Sequence, residues 1–326
     1  MTSRRALPLE LLCHVMESVL PPNPSVLLPA SHVSTKTLLA LTLVCRDTYR
    51  MANKLLRQRC VLIDTKSRLA DYLVCMQRFV PTMPAPPSLS AITSLYLEPF
   101  GRLLNDLLAA MWMRELLCQV SDTLRRLVVL IPFQNAQPLH NWQELRRTLR
   151  EGFERLHKLE EFVAIGDYPV LSVPDAPTDV WRLWPELKRL TLFNAPTDNH
   201  WLWWDIATLP KLQHVILARP LSIATTNIKD EYFHKLPRDD ARLDRDIRIV
   251  LMEDGGLAPP EMRTARWKEI DPHGRMTVEL QAVPENPVRF MDPAKLVADF
   301  VKEQALSGCL WDGETRVVEE SKSKSK

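Results

Sequence analysis

The chain has 326 residues, 46% apolar and 25% charged, a composition that excludes wholesale disorder and fits an ordinary globular protein. Its length sets an expectation of two domains, or of one domain plus an array. With 42 Lys and Arg against 40 Asp and Glu, the formal charge of +2 supplies no broad field for nucleic acid or an anionic membrane, so the balance argues for a protein partner or none.

The first predicted helix carries Leu7, Leu11, Leu12, Val15, Met16, Val19 and Leu20 on one face, with Pro8 at an early position where its missing N–H is harmless. Pro21-Pro22 stops it. A connector from Asn23 to Val33 leads to Ser34-Thr35, either of which can cap a second helix running through Val44. Asp47 is expected to cap a third, bearing Tyr49, Met51, Ala52, Leu55 and Leu56. This module, residues 6–60, has more apolar surface than so short a segment buries by itself.

Leu7-Pro8-x-Glu10-Leu11-Leu12, followed by Leu39-x-Leu41-x-Leu43-Val44-Cys45-Arg46 and Tyr49-Arg50-x-Ala52-Asn53-x-Leu55-Leu56, resembles the F-box, in particular its fungal form. The resemblance implies a three-helix motif that docks on a Skp-type adaptor, itself held by the cullin scaffold of a ubiquitin ligase. Position by position, it assigns adaptor binding to Leu7, Pro8, Leu11, Leu12 and Val15 of the first helix. From the second it adds Leu39, Leu43, Val44, Cys45 and Arg46. Two features depart from the family: the long connector from Pro21 to Ser34, expected to bulge away from the interface, and Thr48 where an aromatic is common. The plain alternative is that these leucines pack only against the rest of the chain.

Downstream, five segments share an apolar-x-x-apolar-x-apolar spacing. They are Ile92/Leu95/Leu97, Leu124/Leu127/Val129, Leu159/Phe162/Ala164, Leu187/Leu190/Leu192 and Leu212/Val215/Leu217, with Ile247/Val250/Met252 as a sixth candidate. The alternation predicts strands with one buried face. First positions step by 32, 35, 28, 25 and 35 residues, close to the length of a strand-plus-helix repeat. Helices are expected over Arg102 to Val120, Trp142 to Leu156, Asp179 to Trp184 and His200 to Ile206, between the strands. The pattern resembles a degenerate leucine-rich-repeat array of the kind found behind F-boxes, and an ordinary α/β domain with a parallel sheet shares the same alternation. The fold class expected is therefore α/β, a three-helix F-box followed by an irregular leucine-rich-repeat-like array, residues 61–310.

Five of the nine tryptophans, Trp181, Trp184, Trp201, Trp203 and Trp204, cluster within one stretch of this body and are the candidate target-binding residues. Core packing is tryptophan's usual work, so three are expected to be buried and one or two to reach a rim. Beyond the spaced segments, Trp267, Met276, Val278 and Leu280 suggest a strand pair across Asp271-Pro272-His273-Gly274. A helix begun at Asp292 and running from Pro293 to Leu306 is expected to cap the end of the array. Residues 311–326, ending in Ser321-Lys322-Ser323-Lys324-Ser325-Lys326, read as a mostly disordered tail.

No motif for nucleotide binding, metal-dependent hydrolysis or a serine nucleophile occurs, and the six cysteines have no paired spacing. No metal or cofactor is expected, and Glu10, His14 and Glu17 interrupt any signal-peptide core, which favours a cytoplasmic or nuclear location. The sequence thus leads to a non-catalytic substrate receptor of a Skp–cullin–F-box ligase, binding an unidentified protein target. An interaction scaffold that does not drive ubiquitination is the alternative, and an α/β enzyme a more distant one.

Overall fold

The computed structural model describes residues 8–76, 91–134, 142–237, 240–254, 262–284 and 292–320. The chain is α/β. Among the described residues it forms ten α-helices and one nine-stranded sheet in which strand order follows chain order.

Three helices open it: α1 (Leu9–Ser18), α2 (Val33–Leu41) and α3 (Arg46–Arg59). They enclose a small core of their own, Met16, Leu38, Ala52 and Leu55, with Leu12, Leu20 and Leu41 packed against it. Helix α2 starts and ends earlier than its sequence suggests. His32, not Ser34 or Thr35, is its cap, with Nδ1 accepting from the Ser34 N–H at 3.1 Å. The two hydroxyls instead donate outward, Ser34 to the Val19 carbonyl at 2.6 Å and Thr35 to that of Pro29 at 2.9 Å. Cys45, not Asp47, caps α3: its N–H donates to the Thr48 hydroxyl at 3.0 Å. Thr48 is thus a buried capping residue.

From α3 the chain enters the sheet through β1 (Leu62–Ile63) and α4 (Lys66–Met76). There follow β2 (Ser94–Leu97), α5 (Leu107–Val120), β3 (Arg126–Leu130), α6 (Trp142–Glu154), β4 (Glu161–Ile165) and β5 (Arg189–Phe193). Next come α7 (His200–Thr208), β6 (His214–Ala218), α8 (Ile228–Phe233), β7 (Ile247–Asp254), α9 (Trp267–Ile270) and β8 (Met276–Val283). Strands β1 to β8 are all parallel. The five spaced segments form β2 to β6. The sixth lies out of frame: Val215 and Leu217 of β6 pair with Ile249 and Leu251, so Val250 and Met252 point to the opposite face. The expected strand pair across residues 271–274 is instead α9, a turn and β8.

One sheet face packs against the connecting helices. Leu95, Leu127, Phe162, Leu190, Val215 and Ile249 meet Met113, Leu117, Leu149, Phe153, Trp203 and Tyr232 there. Helices α5 and α6 approach so closely that a Cβ on Gly152 would stand 2.9 Å from the Arg114 backbone. The other face is apolar too. Tyr96, Val128, Val163, Ile216 and Val250 lie in register across it, joined by Phe193 and Met252. The last helix, α10 (Pro293–Ser307), covers this face with Val297, Val301 and Ala305. It therefore does not cap the end of the array; it lies across the strands, and Lys302 pairs with Glu98 beyond β2 at 2.7 Å. Within residues 311–320, expected as part of a disordered tail, Trp311 contacts this face, Val318 packs on the opposite one, and β9 (Arg316–Val317) runs antiparallel to β8. Residues 321–326 lie outside the described residues.

A row of charge edges the same face. Arg126, Glu161, Arg189, His214 and Arg248 are register partners at the starts of β3 to β7. Arg126 and Glu161 form a buried ion pair at 2.6 Å, and Arg189 reaches Glu161 at 3.4 Å. Arg189 sits over the Trp311 ring, 5.8 Å from its centroid, and Arg248 donates to the Trp311 carbonyl at 3.2 Å. Burial, aided by Arg189 and Arg248, holds the His214 imidazole below its ordinary range.

Arg126 also donates to the carbonyls of Ser25 and Ala305, so it ties the first connector and the end of α10 to the sheet. The connector is thereby packed onto the sheet and α10. Leu27 and Leu28 are buried, with Leu27 N–H donating to Leu306 and Leu28 N–H to Arg59, both at 2.8 Å. Gly308, at φ +73°, closes the joint where a Cβ would meet Ser25 at 2.8 Å. Removing one partner of a buried, hydrogen-bonded ion pair costs about 3–5 kcal/mol. Arg126→Ala is expected to lower unfolding free energy by that amount in urea titrations, while the half-exposed neighbour change Arg125→Ala, which loses a surface ion pair with Glu160, costs about 1 kcal/mol or less; equal effects would deny Arg126 this role.

Candidate docking surface and cavity

The ten residues assigned to the adaptor by resemblance divide clearly. Leu7 lies outside the described residues. Pro8, Leu11, Val15, Leu39, Leu43, Val44, Cys45 and Arg46 are exposed. Leu12 turns inward and packs on the module's own core, so it is a folding residue first. Leu43 and Val44 stand not on α2 but in the turns that follow it, 87% and 67% exposed. That turn is held by Thr42, whose hydroxyl donates to the Leu39 carbonyl at 2.6 Å.

Seven of the sixteen exposed large apolar side chains among the described residues fall between Leu11 and Tyr49. Singly exposed leucines are ordinary, but such a concentration marks an interaction surface. Val33, outside the motif, and Tyr49, within it but not among the positions assigned to the adaptor, also belong to this surface. Burying each leucine or valine would contribute about 1.5–3 kcal/mol. Between α1 and α3, Leu12, Met16 and Met51 line an open groove of about 330 Å³ edged by Asp47, Arg50 and Lys54. The Thr48 hydroxyl holds the Cys45 thiol below its ordinary range at this surface.

The tryptophans separate as well. Trp181, Trp184 and Trp203 are fully buried and so cannot touch a target. Trp184 donates to the Phe153 carbonyl at 2.8 Å and meets the Phe162 ring edge-on at 5.0 Å. Trp203 donates to the Thr197 carbonyl at 2.7 Å. Trp204 is partly buried against the same core. Only Trp201 of the five is open, 64% exposed near the start of α7.

Trp201 lines a cavity of about 460 Å³ beyond the C-terminal ends of β4 and β5. Its walls are the loop after β4, with Tyr168, Val170, Pro177 and Asp179; the 3-10 turn Val180–Leu183, with Arg182; and Pro196, Asn199 and Asp205. Its volume falls within the ~300–1,000 Å³ of ligand sites. The long loop is shaped from beneath by Arg150, buried on α6, which donates to the carbonyls of Leu171 at 3.1 Å and Thr178 at 2.6 Å. Tyr168 O–H donates to Asp179, whose carboxyl burial pushes up while Tyr168 and Arg150 hold it back. Asp205 Oδ1 is buried and accepts no hydrogen bond; Arg182 Nε stands 3.4 Å away, at ion-pair distance but without hydrogen-bond geometry. Burial pushes the Asp205 carboxyl up to about 7, against Arg182 and with help from Asp179. No sequence motif marks this group, because its members come from three separate segments.

No group of three or more potential ligands among the described residues stands where it could hold a metal ion, and no described helix is long and apolar enough to cross a membrane. No family model matches the chain, and no curated protein matches it.

A free aspartate loses its proton near ~4, whereas folded Asp205 keeps it to about 7. This group's stabilisation is therefore full below about pH 4 and is lost as pH rises through about 7. Asp205→Asn abolishes that dependence. Its melting temperature relative to wild type is expected to rise between about pH 5 and pH 8, measured by scanning calorimetry; a constant offset would mean that Asp205 does not titrate in this window.

Proposed function

We propose that the chain is a substrate receptor of a Skp–cullin–F-box ubiquitin ligase, with α1 to α3 as the F-box and the strand–helix body as a leucine-rich-repeat-like target holder. The observation that carries this reading is the solvent exposure of Leu11, Val15, Leu39, Leu43 and Val44, apolar residues at positions the F-box resemblance assigns to the adaptor. Nothing in the described chain covers them. A body whose strands follow chain order, with all connecting helices packed on one face, supports the array reading over a doubly wound sheet, whose strand order reverses. The receptor would contribute positioning and effective concentration.

One observation favours a second reading, an α/β enzyme: the cavity holds two carboxyls with raised affinity for protons, Asp205 buried and Asp179 half-buried, equipment for general acid–base work. The receptor is preferred because it accounts for the exposed surface as well. An adaptor-binding scaffold without ligase activity would capture adaptor but no cullin.

The direct test is co-purification with a Skp-type adaptor. Leu43→Asp places a carboxylate at an almost fully exposed site, so folding and melting temperature should be unaffected. Capture should fall by about 3 kcal/mol, roughly a hundredfold, because the charge is desolvated without a partner in the interface. Failure of the wild type to capture adaptor, or undiminished capture by Leu43→Asp, would sink the reading. Leu12→Asp is the poorer variant, since it also attacks the module's core.

A further inference from the structure

The cavity below Trp201 contains an interaction the chain leaves incomplete. Asp205 has a side chain only 4% exposed, and its Oδ1 lacks a hydrogen-bond donor. A buried carboxylate without donors is costly, and folds satisfy such groups. Among the described residues the cation beside it, Arg182, is one-third exposed and off hydrogen-bond geometry. Asp205 has Arg182 beside it and Asp179 has the buried Arg150 behind it, so what the cavity leaves unfilled is acceptor capacity, at Asp205 Oδ1. Its other walls are apolar at Val170, Pro177 and Pro196, and the open Trp201 ring stands at the mouth. Leu221, bridged to Pro196 and 48% exposed, extends that apolar edge.

We propose that this cavity binds the lysine or arginine side chain of a target segment, with the aliphatic stem along Val170, Pro177 and Pro196 and the cationic head at Asp205 and Asp179 beside the Trp201 ring. A long stem with a charged tip matches apolar walls ending in a carboxylate, and an exposed indole face attracts cations. The loop needs no rearrangement to receive it, because Arg150 already fixes its carbonyls. That the cation belongs to a protein target rests on the receptor reading; the cavity's preference for a cation does not.

The test is calorimetric titration of the full chain with acetylated, amidated Gly-Gly-Xaa-Gly-Gly peptides in which Xaa is arginine, lysine or norleucine. An arginine or lysine peptide should bind about tenfold or more tighter than norleucine, and Asp205→Asn should erase that margin, since a charge-assisted hydrogen bond is lost. Trp201→Ala, at an exposed position, should weaken the cationic peptide about fivefold without altering the fold. Asp175→Asn, an exposed acid outside the cavity, should leave binding unchanged. No binding by either cationic peptide, equal binding by norleucine, or full binding by Asp205→Asn would overturn the proposal. Free putrescine binding more tightly than both peptides would overturn the assignment to a target segment. Leu43→Asp should bind the peptides like wild type, so failed adaptor capture and a failed cavity are told apart.

Discussion

Arg126 is the residue on which the assembly of this chain turns. At the start of β3 it faces Glu161 on β4, and its remaining donors take carbonyls from residues 25 and 305, segments 280 residues apart in sequence. Arginine suits this place because one planar group offers five donors in fixed directions, which a lysine cannot supply. A buried ion pair is weak evidence for net stability, since desolvation offsets much of the attraction. What it supplies is geometry. The amino-terminal module, the sheet and α10 share this anchor, and any slip of one against another leaves a charge or carbonyl unpaired.

That anchoring determines where function can sit. In an array of parallel strands the face opposite the helices is commonly the open one, yet here α10 and the segment through Trp311 fill it. A side chain in that layer is core, not a contact for a partner. The groups that open onto surface or cavity without a partner lie elsewhere, in the exposed leucines around α2 and in the Asp205 carboxyl beyond the ends of β4 and β5. The two differ in kind. One lacks apolar cover and the other lacks hydrogen-bond donors, so they call for different partners.

Much of this was legible in the residues. The helical stripe of α6, the Asp292 cap of α10 and the spacing that gives β2 to β6 follow from local periodicity. What periodicity could not reveal was which surfaces meet. The positions between the spaced leucines, Tyr96, Val128, Val163, Ile216 and Val250, are themselves apolar, a sign of strands buried on both faces. Reading them as half-exposed left α10 without a place and sent it to the end of the array. The run Ile249-Val250-Leu251-Met252 offers two apolar frames, and only pairing with β6 decides between them. Likewise the connector's role depends on Arg126, Leu306 and Gly308, which no local pattern links to it. The clustered tryptophans were divided by helix phase: Trp203 on α7 turns into the core, while Trp201 two positions earlier turns out.

Strand β4 joins these features physically. Glu161 at its first residue holds Arg126 and, through it, the connector to the helical module. Its five residues span roughly 16 Å and end three residues before Tyr168, on the cavity wall. Side chains on both faces of β4 are buried, so the strand has little freedom to bend. A rigid spacer of this sort cannot speed a chemical step by itself. It can hold a bound segment at a fixed offset from whatever grips the helical module, and under the receptor reading that offset is the protein's whole contribution. The stability of the Arg126 joint would then matter to function in a way no cavity residue does, because a loosened joint leaves both binding surfaces intact while losing the geometry between them.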